Sequence, residues 1–151
     1  MPDLHFGFVD VPYPGQIAKR NSRGRFLRRA DRSVDVAEAL EKRYHIVETF
    51  SDQMLDYISE ELSYYYDEQL EELFESRTRS GPGKFARNIT LAFRDFIRKG
   101  GMDDAVRGVP TKASIEGKTW RPGYGKFPTG ETRPSFIDTG TYIGSFRAWV
   151  D

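Results

Sequence analysis

The sequence contains no cysteine, which excludes disulfides and thiolate metal sites. Its only histidines are His5 and His45, too few and too far apart in sequence for a histidine-rich metal centre. No cofactor is expected. No apolar run approaches the ~20 residues that span a bilayer, so no membrane partner is expected either. The opening Met1-Pro2-Asp3-Leu4-His5 lacks the basic and apolar regions of a secretion signal, and the expectation is a soluble protein, intracellular where it is made. Apolar residues are also scarce, at 38% against 30% charged, below the usual share of roughly 45–50% in globular domains. Eleven Phe, eight Tyr and two Trp partly compensate, because aromatic rings bury large areas in cores and interfaces.

Charge is balanced in total and separated in space along the chain. Residues 1–34 carry seven basic and three acidic side chains, residues 35–76 carry two and thirteen, and residues 77–151 carry fourteen and seven. The three blocks are therefore +4, −11 and +7. Such polarity favours charge-matched packing between blocks, or head-to-tail contact between copies.

A length of 151 residues suits one domain with a modest core. Three parts are expected within it: a basic N-terminal arm over 1–32, a helical core over 33–100 and a loop-rich segment over 101–151. Leu4, Phe6 and Phe8 alternate as in a short strand, which Pro12-Tyr13-Pro14-Gly15 ends. Lys19–Arg32 holds seven basic residues and one acid without an apolar period, and reads as an exposed or partner-bound arm.

Ser33 suits an N-cap, with Asp35 and Glu38 at the positive end of a helix. Ala37, Leu40, Tyr44, Val47, Met54, Ile58, Leu62, Tyr65 and Leu73 then recur at steps of three and four. No Gly or Pro interrupts residues 34–80. An unbroken helix of that length would reach about 65 Å, so the spacing predicts a protruding or bent helix, or a break near Phe50-Ser51-Asp52 with Ser51 capping the next segment. After Ser80-Gly81-Pro82-Gly83, a second helix places Phe85, Ile89, Ala92, Phe93, Phe96 and Ile97 on one face. Gly100-Gly101 stops it, and it is expected to pack on the first. Pro110–Glu116 fits a short helix ended by Gly117, and Trp120–Pro134 a long ordered loop. A final short helix capped by Asp138 is expected to run into an extended end. The fold class is mainly α, an α+β arrangement with minor strands.

Three features invite chemistry. Phe136-Ile137-Asp138-Thr139-Gly140-Thr141 matches the loop of aspartic proteases, where two carboxylates share a proton. Only eleven residues follow Gly140, too few for the strands of such a cleft, and Asp138 as a helix cap is the simpler reading. The basic arm offers Arg23, Arg25, Arg28 and Arg29 to phosphates or to an acidic protein surface. Phe26 alone gives it little stacking platform. Tyr64-Tyr65-Tyr66 cannot all face one core, so at least one ring is exposed; a contact patch with Tyr65 as its candidate residue and a half-buried place in the core are the two readings.

Two stretches resemble a known group. Asp35–Glu48 resembles the opening helix of small neck or tail-completion proteins of tailed bacteriophages. Arg133-Pro134-Ser135-Phe136-Ile137-Asp138-Thr139-Gly140, followed by Tyr142, Ser145, Phe146 and Trp149, resembles the ending of such proteins. The resemblance implies a non-enzymatic virion subunit, made in the host cytoplasm. It would form a ring at the head–tail junction, contacting the portal or adaptor, the tail tube or the terminator, and DNA in the channel. Tyr142, Phe146 and Trp149 are then interface candidates beside the arm arginines and Tyr65. The other reading is a nucleic-acid-binding accessory protein using Lys19–Arg32.

Overall fold

A computed structural model describes residues 3–12, 32–75, 83–103, 105–117, 131–137 and 140–150. The elements are β1 (Leu4–Phe8), α1 (Ser33–Tyr44), α2 (Ile46–Gln53), α3 (Leu55–Phe74), α4 (Gly83–Arg98), α5 (Lys112–Ile115), α6 (Thr141–Ser145) and β2 (Phe146–Val150). The fold is mainly helical with a small antiparallel sheet, an α+β arrangement as the sequence predicts.

The two strands come from opposite ends of the chain, with Leu4 opposite Val150, Phe6 opposite Ala148 and Phe8 opposite Phe146. Side chains alternate across a strand, so these six share the inner face. His5, Gly7, Arg147 and Trp149 take the outer one. The inner face meets α4, whose apolar stripe buries Phe85, Ile89, Phe93, Phe96 and Ile97. Phe93 and Phe146 are fully buried with ring centroids 3.8 Å apart, and Phe50 of α2 meets Phe93 edge-on at 5.2 Å. Phe6 and Phe8 close over this cluster. Thr90 interrupts the apolar stripe for a reason: its hydroxyl accepts from the Ala148 amide at 3.0 Å and donates to the Ala86 carbonyl at 2.8 Å. That bond satisfies a buried strand amide pointing away from β1.

The acidic stretch is not one helix, and the break is not at Ser51. His45 takes a left-handed conformation (φ 49°, ψ 49°) between α1 and α2. Glu41 stabilises the junction, its carboxylate accepting from the amides of Val47 (2.8 Å) and Glu48 (3.3 Å) at the positive start of α2. Ser51 sits inside α2 and bonds back to the Val47 carbonyl at 2.9 Å. Met54 marks a milder distortion before α3, spanned by i→i−4 bonds from Met54 to Phe50 and from Ile58 to Met54.

Ser33 is likewise not a side-chain cap. It is the first residue of α1, fully buried, and clamps the exit of β1 instead. Its hydroxyl accepts from the Val11 amide at 2.8 Å and donates to the Val9 carbonyl at 2.6 Å, while its own amide donates to Val11 at 2.9 Å. Asp138 lies outside the described residues. The position it was expected to cap is held by Gly140 (φ 73°), which precedes α6 directly. α6 then runs into the extended β2, as the sequence predicts.

Gly100 and Gly101 end α4 as expected. Gly100 is left-handed (φ 76°), its amide bonds to Ile97, and the Gly101 amide bonds to Phe96. This is the two-bond glycine ending of helices. A Cβ on Gly101 would lie 2.3 Å from the Phe96 ring, so the second glycine is needed for space. The expected short helix near Pro110 is α5, capped by Thr111. Of the expected loop 120–134, only residues 131–134 lie within the described residues.

Two substitutions test this frame by chemical denaturation. Phe50→Ala should cost about 3–5 kcal/mol, through lost burial and the cavity left among the rings. Ser33→Ala should cost about 1–3 kcal/mol, because it leaves the Val11 amide and the Val9 carbonyl without the hydroxyl that bonds them.

Candidate assembly surface

α3 and α4 form an antiparallel hairpin. Lys84 pairs with Glu68 at 2.6 Å, Phe85 stacks on Tyr65 at 5.7 Å, and the Asn88 amide donates to Glu61 at 2.8 Å. Between them lies a groove of about 350 Å³ lined by carboxylates of Glu61, Asp67, Glu68 and Glu71, with Lys84 as its cation. Its hydrogen bond and attraction to Glu68 hold the Lys84 ammonium above its ordinary pKa. Burial, and then the neighbouring Glu61 carboxylate, push the Tyr57 hydroxyl up. Among the described residues no cation lies within ion-pair distance of Asp67 or Glu71.

The last turns of α3 continue beyond the start of α4. There Leu70, Leu73 and Phe74 stand exposed, Phe74 at 84%. The periodicity that placed Leu73 in the core therefore fails at this end. The spacing is helical, but α4 begins too late in the hairpin to cover it.

The expected contact residues divide by burial. Arg23, Arg25, Arg28 and Arg29 lie outside the described residues. Tyr65 is half-buried and belongs to the hairpin interface, while Tyr64 is the exposed ring of the three. Tyr142 and Phe146 are buried in the core, which corrects the expectation that they face a partner. Tyr142 stacks on Phe8 at 4.9 Å and Phe146 on Phe93, so the subunit's own packing consumes both. Trp149 alone of that group reaches the surface. It stacks on His5 at 5.5 Å and covers Gly7, where a Cβ would lie 2.8 Å from the indole.

The Pro-Ser-Phe motif is also structural. Ser135 is buried, accepts from the Thr111 amide at 3.0 Å and meets the Ser114 hydroxyl at 3.1 Å, while Phe136 packs on Tyr44 at 5.1 Å. The Ser145 hydroxyl donates to the Tyr142 carbonyl at 2.8 Å.

One cluster escaped sequence reasoning. Arg94 and Arg147 both donate to the Gly144 carbonyl, at 3.2 and 2.7 Å. Burial, then the charges of Arg147 and Arg98, lower the Arg94 pKa from its ordinary value. Among the described residues no carboxylate pairs with Arg94 or Arg147, and Asp95 reaches only Arg98, at 3.9 Å. Arg94 and Arg98 share a helix stripe visible in the sequence, but their meeting with Arg147 depends on β2 docking. No group of carboxylates or histidines among the described residues is arranged to hold a metal ion, and no described helix is long and apolar enough to cross a membrane. Comparison of the chain with protein-family models, with curated proteins and with solved structures finds no match in any of the three.

The tyrosines give a direct test of this division. Tyr65→Ser should lower unfolding stability by about 1–2 kcal/mol through lost ring packing. Tyr64→Ser should stay within about 0.5 kcal/mol.

Proposed function

We propose that this chain is a structural subunit of a tailed-phage virion, acting by assembly into a ring at the head–tail junction and not as an enzyme. The observation that carries the assembly reading is the exposed apolar end of α3. Leu70, Leu73 and Phe74 are exposed together at its end, at helical spacing and among the carboxylates of Asp67, Glu68 and Glu71, while a core rich in aromatic rings is built elsewhere among the described residues. Apolar surface of that kind, rimmed by charge, marks protein–protein contact. A subunit completed by its neighbours also accounts for a low apolar share in a chain that still folds.

The virion assignment rests on the resemblance of Asp35–Glu48 and Arg133–Trp149 to neck and tail-completion proteins. In this reading the subunit is made in the host cytoplasm and ends in the virion. It meets copies of itself, the portal or adaptor and the tail tube or terminator, and DNA passes through the ring. The arm arginines Arg23, Arg25, Arg28 and Arg29 serve either a protein neighbour or that DNA. A nucleic-acid-binding accessory role is the second reading, favoured by the seven basic residues of Lys19–Arg32.

Native mass spectrometry and negative-stain microscopy of the purified chain distinguish the two. The ring reading expects a closed oligomer of defined stoichiometry. A strict monomer at every concentration, with affinity for DNA that falls steeply as salt rises, sinks it.

A further inference from the structure

We infer that neighbouring copies meet head to tail, the distal acidic end of α3 on one copy docking against the Arg94–Arg98–Arg147 cluster of the next. The inference rests on the assembly reading and adds to it the two faces that meet.

The cluster has the stronger geometry. Two guanidinium groups converge on one carbonyl oxygen, that of Gly144, so like charges are held together by a neutral group. Among the described residues no carboxylate neutralises them, and the side chain of Arg94 buries its Nε without an acceptor. Fixed cations in this arrangement repel one another until an anionic surface covers them. Asp95 pairs with Arg98 alone, at 3.9 Å, and the carboxylates at the end of α3 are out of reach of the cluster. Asp67 and Glu71 stand at the level of Lys84 or beyond it, because Glu68 is the residue that pairs with Lys84. Arg94 and Arg98 lie ten and fourteen residues further along α4, which is about 15–21 Å of helix. That exceeds the screening length of about 8 Å at physiological salt, so the two clusters do not neutralise each other within one subunit.

A second copy fits both faces together. It brings carboxylates to the arginines, and it brings the exposed Leu70 and Phe74 to the outer face of β2, where exposed Trp149 lies on the same side as Arg147. Because the two faces differ, the contact is heterologous, the type of contact from which rings are built when the rotation per step closes. A free polyanion would satisfy the arginines alone and leave the end of α3 uncovered.

A charge-swap experiment tests this. The variants are D67K/E71K on the acidic face and R98E/R147E on the basic face. All four positions are exposed, and Arg94 is left in place because it is half-buried. Circular dichroism and thermal unfolding check that each variant folds. Each variant alone should lose assembly in native mass spectrometry, since like charges then face each other. An equimolar mixture should regain it as an alternating oligomer with equal numbers of the two masses. Assembly of either variant alone to the wild-type extent, or a mixture that stays monomeric, overturns the inference while leaving the ring reading standing. Wild-type chain that is monomeric throughout overturns both. Loss of duplex-DNA binding in R98E/R147E, with assembly intact, reassigns the cluster to nucleic acid and also overturns it.

Discussion

The face-to-face contact of Phe93 with Phe146, 3.8 Å between centroids, is the constraint on which the rest of the molecule depends. It joins the longest apolar stripe of the helical hairpin to a strand formed at the far end of the chain. Phe50 meets Phe93 edge-on, and Phe6 and Phe8 seal the group from the N-terminal strand. Offset and edge-on pairs add about 0.5–1.5 kcal/mol each beyond the area they bury. A chain with few aliphatic residues therefore holds its core with rings. The same contact brings Gly144 and Arg147 beside Arg94, so the basic cluster exists only because the strand docks there.

The hairpin divides its labour along its length. Near Met54 and Ile58, α3 is covered by α4 and by the aromatic group. Toward Phe74 it carries acid and bare apolar side chains, because its partner helix begins at Gly83 and does not reach that far. Stability is concentrated at one end and surface chemistry at the other. Buried ring packing tolerates little change, whereas an exposed charged end accepts substitution with small effect on folding. That separation allows the contact surface to be altered without unfolding the subunit.

Polar residues do structural work that composition does not announce. Ser33 ties the exit of β1 to α1, Thr90 answers the outward amide of Ala148, and Ser135 holds the Thr111 turn. Each is buried, and each replaces water at a backbone group that sheet or helix geometry leaves without a partner. None of the three had this role in the sequence reading. Ser33 looked like a cap because serine precedes an amphipathic run. Ser135 lies in the stretch that resembles the ending of neck proteins, with no role of its own expected, and it serves the fold.

Local pattern alone determined much of the architecture. The alternation of Leu4, Phe6 and Phe8 marked β1, the stripe from Phe85 to Ile97 marked α4, and Gly100-Gly101 marked its end. These signals are legible because each depends on periodicity or on backbone freedom within a few residues. The charge blocks were legible for the same reason, since they are sums over contiguous sequence. The break at His45 was not, because it is held by Glu41 reaching across to the start of α2, a bond between side chain and backbone with no spacing rule. The burial of Tyr142 and Phe146, the exposure of Leu73 and the meeting of Arg94 with Arg147 were decided only by tertiary structure. Whether a ring faces core or solvent depends on which element docks over it, and that depends on contacts between residues far apart in the chain.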